Sequence, residues 1–171
     1  MEHRYQVDYG RVELCPLLLE DAERMRILRN QNCQHFFHSA QITSEAQKQW
    51  YDMYTKAEND YMFSIILSST NRWVGAVGLY HVDKDHKRGE FGRLLIDHSA
   101  TSERGLGVDA TLAACQFAFQ QLGLSTVYLE VFRDNRAAVR TYKKAGFQLC
   151  GERAVDGETN ILYMEKYLLE R

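Results

Sequence analysis

Three parts of this chain carry residue types that could bind a ligand or move a proton. The first is Arg104-Gly105-Leu106-Gly107-Val108, between a polar loop and a helix-like segment. Glycines let a backbone approach a ligand closely, and a helix start offers unpaired N–H groups and the positive end of its dipole. Each charge-assisted hydrogen bond from such an amide to a phosphate is worth roughly 1.5–3 kcal/mol. The segment predicts a phosphate-binding turn, with Arg104 adding a cation.

The same glycines also match the fingerprint of dinucleotide-binding folds, and Glu130 follows at the spacing that fingerprint requires. Two features argue against that interpretation. A polar loop over residues 97–104 separates the glycines from the preceding strand, and Glu130 lies inside a strand rather than at its end. An NAD-dependent enzyme is therefore the weaker hypothesis, and a tight helix entry without a ligand is a second alternative.

The second part is the pattern Asn-x-x-Ala-x-x-x-Tyr-x-Lys-x-Gly-Phe from Asn135 to Phe147. Asn135 and Tyr142 are seven residues apart, which is two helical turns, so a helix would present them on one face. A phenol with a pKa near 10 is protonated at neutral pH and can donate to a departing thiolate of pKa about 8.5. Tyr142 is thus a candidate general acid, and a core aromatic residue is the alternative.

The third part is a pair of proton acceptors, Glu90 and His81. Glu90 is an acid inside an otherwise apolar strand, and His81 ends the strand before it. Either could act as a general base, directly or through water. Alternatively, Glu90 pairs with Arg88 or Arg93, and His81 is a solvated strand end.

The elements that must position these residues follow from periodicity and turn signals. Helices are predicted over residues 19–30, 44–54, 107–121 and 134–145, with a capping box at Ser44-Glu45-Ala46-Gln47 and a stop at Gly146. Strands are predicted over 11–14, 61–68, 72–82, 90–96, 125–132, 147–153 and 160–167, with a turn at Asp156-Gly157. A meander, a β-α-β unit and a closing hairpin predict an α/β (α+β) fold: a mixed central sheet of about seven strands with helices on both faces. Residues 1–171 contain no repeat or linker, which predicts a single domain.

Together the two motifs, one strand apart, resemble the GNAT superfamily of N-acetyltransferases, and most of all its branch of ribosomal-protein-alanine acetyltransferases and small-molecule-modifying relatives. The resemblance implies acetyl-CoA as co-substrate. It implies that backbone amides near Arg104 to Val108 hold the pyrophosphate, and that the fourth predicted strand, at Leu94, Leu95 and Ile96, pairs with the pantetheine arm. Asn135 would contact that arm, and Tyr142 would approach the thioester sulfur. Ser102 stands where the family has Gln or Arg.

The resemblance further implies direct transfer of the acetyl group to a primary amine in a ternary complex, with backbone amides of the fourth strand meeting the oxyanion. No cysteine lies in either motif, which fits direct transfer. We expect a small amine such as a nucleotide-linked amino sugar as acceptor, with a protein N-terminus as the alternative. Aromatic residues in 34–38 and 50–54 could contact it. A catalytically inactive acyl-CoA-binding module is the rival from another class.

Composition limits the remaining possibilities. A formal net charge of −2, with acids and bases interspersed, argues against nucleic acid as a partner. No apolar run reaches the roughly 20 residues that span a bilayer, and the polar N-terminus does not resemble a signal peptide. Scattered cysteines without a CxxC pair indicate reduced thiols, and hence a cytoplasmic protein. His35, His38, His86 and His98 lack metal-ligand spacing, so no metal is expected. A homodimer is compatible with these features.

Overall fold

The computed structural model describes residues 3–35, 37–154, 157 and 160–169. Its centre is an eight-stranded sheet in the order β1-β2-β3-β4-β5-β6-β8-β7. The strands are β1 (Val7–Tyr9), β2 (Val12–Pro16), β3 (Tyr61–Leu67), β4 (Arg72–Asp83), β5 (Arg88–Ile96), β6 (Thr126–Phe132), β7 (Gln148–Ala154) and β8 (Asn160–Tyr167). Neighbouring strands are antiparallel except β5 and β6, which are parallel. The sheet is mixed, as the sequence predicted.

Helices cover both faces of this sheet, which confirms the predicted layering. They are α1 (Leu19–Gln31), α2 (Ser44–Tyr54), α3 (Leu106–Gln116), which continues as a π-helical turn over Phe117–Gln121, and α4 (Arg136–Lys144). Because side chains alternate along a strand, neighbours enter different cores. On β3, Met62 packs in the core that α1 and α2 cover, whereas Phe63 packs in the core that α3 covers.

The N-terminal hairpin is the main difference from the prediction. The sequence predicted one strand at residues 11–14, but β1 and β2 form a hairpin in which Val7 pairs with Leu14. Gly10 turns the chain in the left-handed region, with φ of 57°. A three-residue strand is too short to show a period of two, so the pattern could not reveal β1.

The N-cap of α2 and the first residue of α4 differ from the prediction by one and two residues. Thr43, not Ser44, caps α2, because its hydroxyl oxygen accepts from the Ala46 amide at 3.2 Å. The α4 helix begins at Arg136 rather than residue 134. Its end at Gly146 is confirmed.

The feature that shapes the rest of the molecule is a fork between β5 and β6. The two strands pair only at Arg88 with Thr126, Gly89 with Val127 and Glu90 with Tyr128. Beyond this point β5 continues along β4 to Ile96, and β6 continues along β8 to Phe132. The facing edges therefore separate, and their backbone N–H and C=O groups do not bond to each other across the opening.

Two bulges accompany the fork. The β4–β5 register shifts once between Tyr80 and Asp83 and again between Ala76 and Gly78. His81 on β4 and Arg93 on β5 have positive φ values of 48° and 54°, which is uncommon for residues other than glycine. Bulges bend a strand and re-aim its side chains. The turn predicted at Asp156-Gly157 lies partly outside the described residues.

Candidate active site

Tyr142 stands where β5 and β6 part. Its ring centroid lies 5.6 Å from that of Phe91, the first β5 residue after the last paired position, and 6.2 Å from that of Phe147. The residue is only 8% exposed. No described residue hydrogen-bonds to its hydroxyl. The phenol is therefore available to a group that enters the fork.

Burial changes what Tyr142 can do. Removal from water disfavours the phenolate and raises the pKa of Tyr142 well above its usual value. The sequence hypothesis assumed an ordinary phenol pKa near 10, whereas burial places the pKa of Tyr142 above that value. A raised pKa keeps the hydroxyl protonated. The hydroxyl can therefore donate a hydrogen bond to a sulfur more readily than it can give up its proton. Whether Tyr142 is the general acid stays a prediction.

The two candidate bases, Glu90 and His81, are in direct contact. His81 Nδ1 lies 2.8 Å from Glu90 Oε2, and the Tyr80 hydroxyl donates to Glu90 Oε1 at 3.2 Å. Adjacent strand residues normally point to opposite faces, but the bulge at His81 lets both Tyr80 and His81 reach one carboxylate. The Glu90 side chain is 19% exposed and that of His81 is 68% exposed. Glu90 therefore holds the Nδ1 side of His81, while most of the His81 side chain is exposed.

The alternative partners of Glu90 are excluded by the geometry. Arg93 Nη1 donates to both oxygens of Asp60 at 2.8 Å, and its guanidinium lies 4.0 Å from the centroid of the Tyr80 ring. Arg88 donates to the Tyr163 hydroxyl at 2.6 Å. Neither arginine pairs with Glu90, so its side-chain contacts are those with Tyr80 and His81.

Tyr80 is a site residue that sequence reasoning missed. Its ring passes over Gly92 on the neighbouring strand β5. A Cβ added to Gly92 would lie 2.4 Å from the Tyr80 hydroxyl oxygen. Only glycine at position 92 leaves room for the Tyr80 ring, so the position of Tyr80 depends on Gly92. The glycine inside a strand was the available signal, because it indicates a close approach by another group.

The predicted phosphate-binding turn has the required backbone. Gly105 is the N-cap of α3 at φ 81° and provides no capping side chain. The amides of Val108 and Asp109 donate to the Gly105 carbonyl at 3.0 and 3.3 Å, whereas those of Leu106 and Gly107 have no acceptor in the described part of the chain. Leu106 is a core residue that is 1% exposed, so only its backbone could bind a ligand.

Gly107 joins this turn to the fork. A Cβ placed on Gly107 would lie 3.5 Å from Thr141 of α4, 3.8 Å from Leu94 and 3.9 Å from Ile96. The absence of a side chain at Gly107 therefore leaves a small space, called the cradle below, between α3, α4 and β5. Leu95 points to the opposite face, where it is buried beneath α1 and α2, so only its backbone can line the cleft.

Asn135 does not lie within a helix as predicted. It is the N-cap of α4, and its Oδ1 accepts from the Ala138 amide at 3.2 Å. The two-turn spacing to Tyr142 therefore does not by itself place the two side chains on one face. The Nδ2 group of Asn135 has no partner in the described structure and remains able to donate.

A basic surface on α4 was not predicted. It forms a cavity of about 510 Å³ lined by Arg133, Arg136, Val139, Arg140, Lys143 and Lys144. Arg133 is bound to Glu152, whereas the other four cations have no carboxylate partner among the described residues. Basic residues at i, i+4 and i+7 of one helix could have revealed this surface. Arg104 is exposed and likewise has no side-chain partner in the described part.

Most of the aromatic residues suggested for acceptor contact are structural. Tyr51 and Tyr54 are buried under α1, and the Tyr51 hydroxyl donates to the Leu17 carbonyl at 3.1 Å. Trp50 stacks on Tyr54 with ring centroids 5.5 Å apart. Phe37 remains near the site, because its ring lies 4.6 Å from that of Phe132 at the end of β6.

Other expectations concern features that lie away from the cleft. Within residues 3–35, 37–154, 157 and 160–169, no cluster of three His, Cys, Asp or Glu residues could hold a metal. No helix in the same described ranges has both the length and the apolar character to cross a membrane. Cys115 is buried, and burial raises the pKa of its thiol to about 12, whereas Cys150 is exposed.

Comparison with known proteins decides the family. A sequence model of the acetyltransferase (GNAT) domain matches residues 11–148. The chain belongs to the GNAT acetyltransferase family. It is an N-acetyltransferase that uses acetyl-CoA.

Similar proteins agree with this assignment. Spermidine N(1)-acetyltransferase of Escherichia coli K12 is 29% identical over 142 residues, which cover 82% of this chain and 75% of the relative. Spermidine N-acetyltransferase of Vibrio cholerae in complex with CoA and spermine superposes with a TM-score of 0.80 at 20% identity, covering 92% and 95% of the two chains. FdhC, a nucleotide-linked sugar GNAT, superposes with a TM-score of 0.82 at 21% identity over 96% and 91%. The two structures confirm the predicted GNAT fold.

Proposed function

We propose that the chain transfers the acetyl group of acetyl-CoA to a terminal primary amine of a polyamine. The observation that carries this proposal is the Glu90–His81 pair at the mouth of the fork. Glu90 has no Arg or Lys partner in the described structure, so the acceptor side of the cleft presents an uncompensated carboxylate. A cationic amine is attracted to such a site. The sequence similarity to the spermidine N(1)-acetyltransferase of Escherichia coli K12 supports this choice.

The charges on the sheet disfavour the amino sugar that sequence analysis suggested. A nucleotide-linked sugar carries a diphosphate, which needs cations. The three arginines on this face are already paired with acids: Arg93 with Asp60, Arg88 with Glu165 and Arg153 with Glu130. The unpaired cations of α4 belong to another surface. The amino sugar is therefore our second candidate, supported by the structural similarity to a nucleotide-linked sugar GNAT.

The site must remove a proton from the amine. A lysine-like amine with a pKa of about 10.4 is neutral in only about one molecule in 2,500 at pH 7, a handicap of roughly 4.6 kcal/mol. In the tautomer whose Nδ1–H donates to Glu90, the Nε2 lone pair of His81 would be available to accept a proton from the ammonium group. The arrangement follows the logic of a carboxylate-oriented histidine base.

The residues around the fork fit acetyl-CoA, which supplies the thioester and its departing thiolate. The free amides of Leu106 and Gly107 and the cradle at Gly107 would hold the pyrophosphate, and Nδ2 of Asn135 would donate to the pantetheine arm. The four cations of α4 without a carboxylate partner in the described structure would add positive charge for the phosphates of a nucleotide. Tyr142 would donate to the sulfur.

The β5 bulge supports the predicted oxyanion site. Arg93 and Leu94 have no ladder partner on β4, because Gly92 pairs with Gly78 and Leu95 pairs with Ala76. Their amides are candidates to stabilise negative charge on the carbonyl oxygen, a preorganised contribution of about 3–4 kcal/mol per donor.

An acceptor panel tests the proposal. Coenzyme A release would be followed with spermidine, spermine, a nucleotide-linked amino sugar and a peptide with N-terminal alanine, each at 50 and 300 mM salt. We expect kcat/KM for the polyamines to be at least tenfold higher than for the others, and to fall with salt because exposed charges are screened. Higher kcat/KM for the sugar would replace the polyamine hypothesis. Preference for the peptide would favour the ribosomal-protein type.

The inactive-module hypothesis has a separate signature. Calorimetry would then show binding of acetyl-CoA, but no acceptor of the panel would release the thiol. Retention of Tyr142 at the fork and of the Glu90–His81 contact argues for turnover. Cytoplasmic location, a single domain over residues 1–171 and a homodimer stay predictions.

A further inference from the structure

Arg11 ties the N-terminal hairpin to the phosphate-binding turn across 98 positions of sequence. The Arg11 Nε group donates to Asp109 Oδ2 at 2.8 Å, and its backbone amide donates to the same oxygen at 3.3 Å. Nη1 donates to the Arg104 carbonyl at 2.8 Å and lies 3.5 Å from Glu103 Oε2. One side chain thus holds the loop before Gly105 and the first turn of α3.

The hairpin is shaped for this contact. Gly10 turns the chain at φ 57°, and a Cβ placed on it would lie 3.1 Å from Asp109 Oδ2. Glycine therefore lets the hairpin approach the carboxylate. The Arg11 carbonyl also accepts from the Ser68 amide at 3.0 Å, which fixes the turn to the end of β3.

Two acids flank the turn and would oppose a bound phosphate. Asp109 lies in the first turn of α3 and Glu103 lies two residues before Gly105. Arg11 compensates both carboxylates, and its Nη2 lies 3.3 Å from the position that a Cβ of Gly105 would take. Ser102 provides no cation here. Arg11 therefore reduces the negative charge beside the turn, and Arg104 is a further cation there.

Folding alone does not explain these contacts. The Arg11 side chain is 46% exposed, and ion pairs in water add little to stability. Fixing the Arg104 carbonyl and the Asp109 carboxylate, however, fixes the direction of the amides between them. We propose that Arg11 is a positioning residue that holds the turn from Arg104 to Asp109 in the conformation that binds the pyrophosphate of acetyl-CoA.

Calorimetric titration with coenzyme A tests this role without any amine, so the result does not depend on which acceptor the enzyme uses. We expect Arg11→Ala to raise the Kd by about 10–30-fold, which corresponds to the loss of about one charge-assisted contact. In steady-state assays the KM for acetyl-CoA should rise similarly, while kcat at saturation stays within about twofold. Arg4→Ala is the matched control, because Arg4 is an exposed cation just before the same hairpin and forms no hydrogen bond or ion pair with the turn in the described structure.

Hydrogen exchange in the absence of ligand gives a second measurement. Amides 104–108 should exchange faster in Arg11→Ala than in wild type or Arg4→Ala. Arg11→Lys should recover only part of the affinity, because a lysine cannot bridge Asp109 and the Arg104 carbonyl with a fork. Complete recovery would mean that charge alone acts, and would overturn the positioning role. A Kd within twofold of wild type in folded Arg11→Ala would overturn it too. If that variant does not fold, Arg11→Gln keeps a polar side chain but removes the charge and the fork, and should raise the Kd at least threefold; an unchanged Kd contradicts the proposal.

Discussion

Loss of His81, the proposed general base, should produce a defect that depends strongly on pH. His81→Ala removes the Nε2 acceptor, and a general base contributes about 10²–10⁴-fold to rate. We expect kcat/KM to fall at least about 100-fold at pH 7. Under the proposed mechanism the wild type would take the proton from the ammonium group itself, whereas the variant would react only with the neutral amine. That neutral fraction rises about 100-fold between pH 7 and pH 9 for an amine of pKa about 10.4. The defect should therefore shrink to within a few-fold at pH 9.

Glu90→Gln tests whether the carboxylate acts through His81. The 2.8 Å contact is a hydrogen bond to a charged group, worth about 1.5–3 kcal/mol, so its loss should reduce kcat/KM by about 10–150-fold. Because both residues serve one proton transfer, the double variant should be no worse than His81→Ala.

The assay is coenzyme A release with the best acceptor at pH 7 and pH 9, at saturating acetyl-CoA. His86→Ala is the matched control, because His86 Nδ1 also contacts a carboxylate, that of Asp83, at 2.7 Å but lies in the exposed β4–β5 turn. It should leave kcat/KM unchanged. Equal defects of His81→Ala at both pH values, or additive effects of the two site substitutions, would refute the reasoning.

Three further predictions concern single residues. Tyr142→Phe should lower turnover by about 10–100-fold and leave coenzyme A binding intact in calorimetry; unchanged turnover removes Tyr142 from the chemistry. Gly105→Ala should lower the free energy of unfolding by about 1 kcal/mol, or Tm by roughly 2–4 °C in thermal scans, because alanine is strained at φ 81°. Burial holds the pKa of His3 below its usual 6.5, so protonation favours the unfolded chain and stability falls as pH drops below about 6.5. His3→Phe should flatten that decline in urea unfolding between pH 7.5 and 5.5; an unchanged slope contradicts the assignment.

The elements of the fold were largely readable from the sequence because each has a local cause. Periodicity located the helices and the long strands, and Gly146 indicated the end of α4. That glycine ends the helix at φ 89°, with the Phe147 amide donating to the Tyr142 carbonyl at 3.0 Å. Local patterns failed where an element was short, as for β1, or where two neighbouring residues could each cap a helix, as at Thr43 and Ser44.

The candidate site was only partly predictable. Sequence reasoning selected Glu90 and His81 separately but could not show that they touch, because that contact needs a bulge that turns His81 toward the face of Tyr80. It placed Asn135 inside a helix, although the side chain caps that helix. It could not find Arg11, whose partner Asp109 follows 98 residues later.

By itself, the sequence determined the chemistry that the chain has available. Glycines at 105 and 107 allow a phosphate-binding turn, and Tyr142, seven residues after Asn135, offers a hydroxyl that can donate a hydrogen bond, because these properties depend on residue type and local spacing. The tertiary structure decided how those groups meet. Separation of β5 from β6 opens the cleft, burial raises the pKa of Tyr142, and Glu90 orients His81. These outcomes depend on which distant elements pack together, and periodicity shows only that a face is buried, not what covers it.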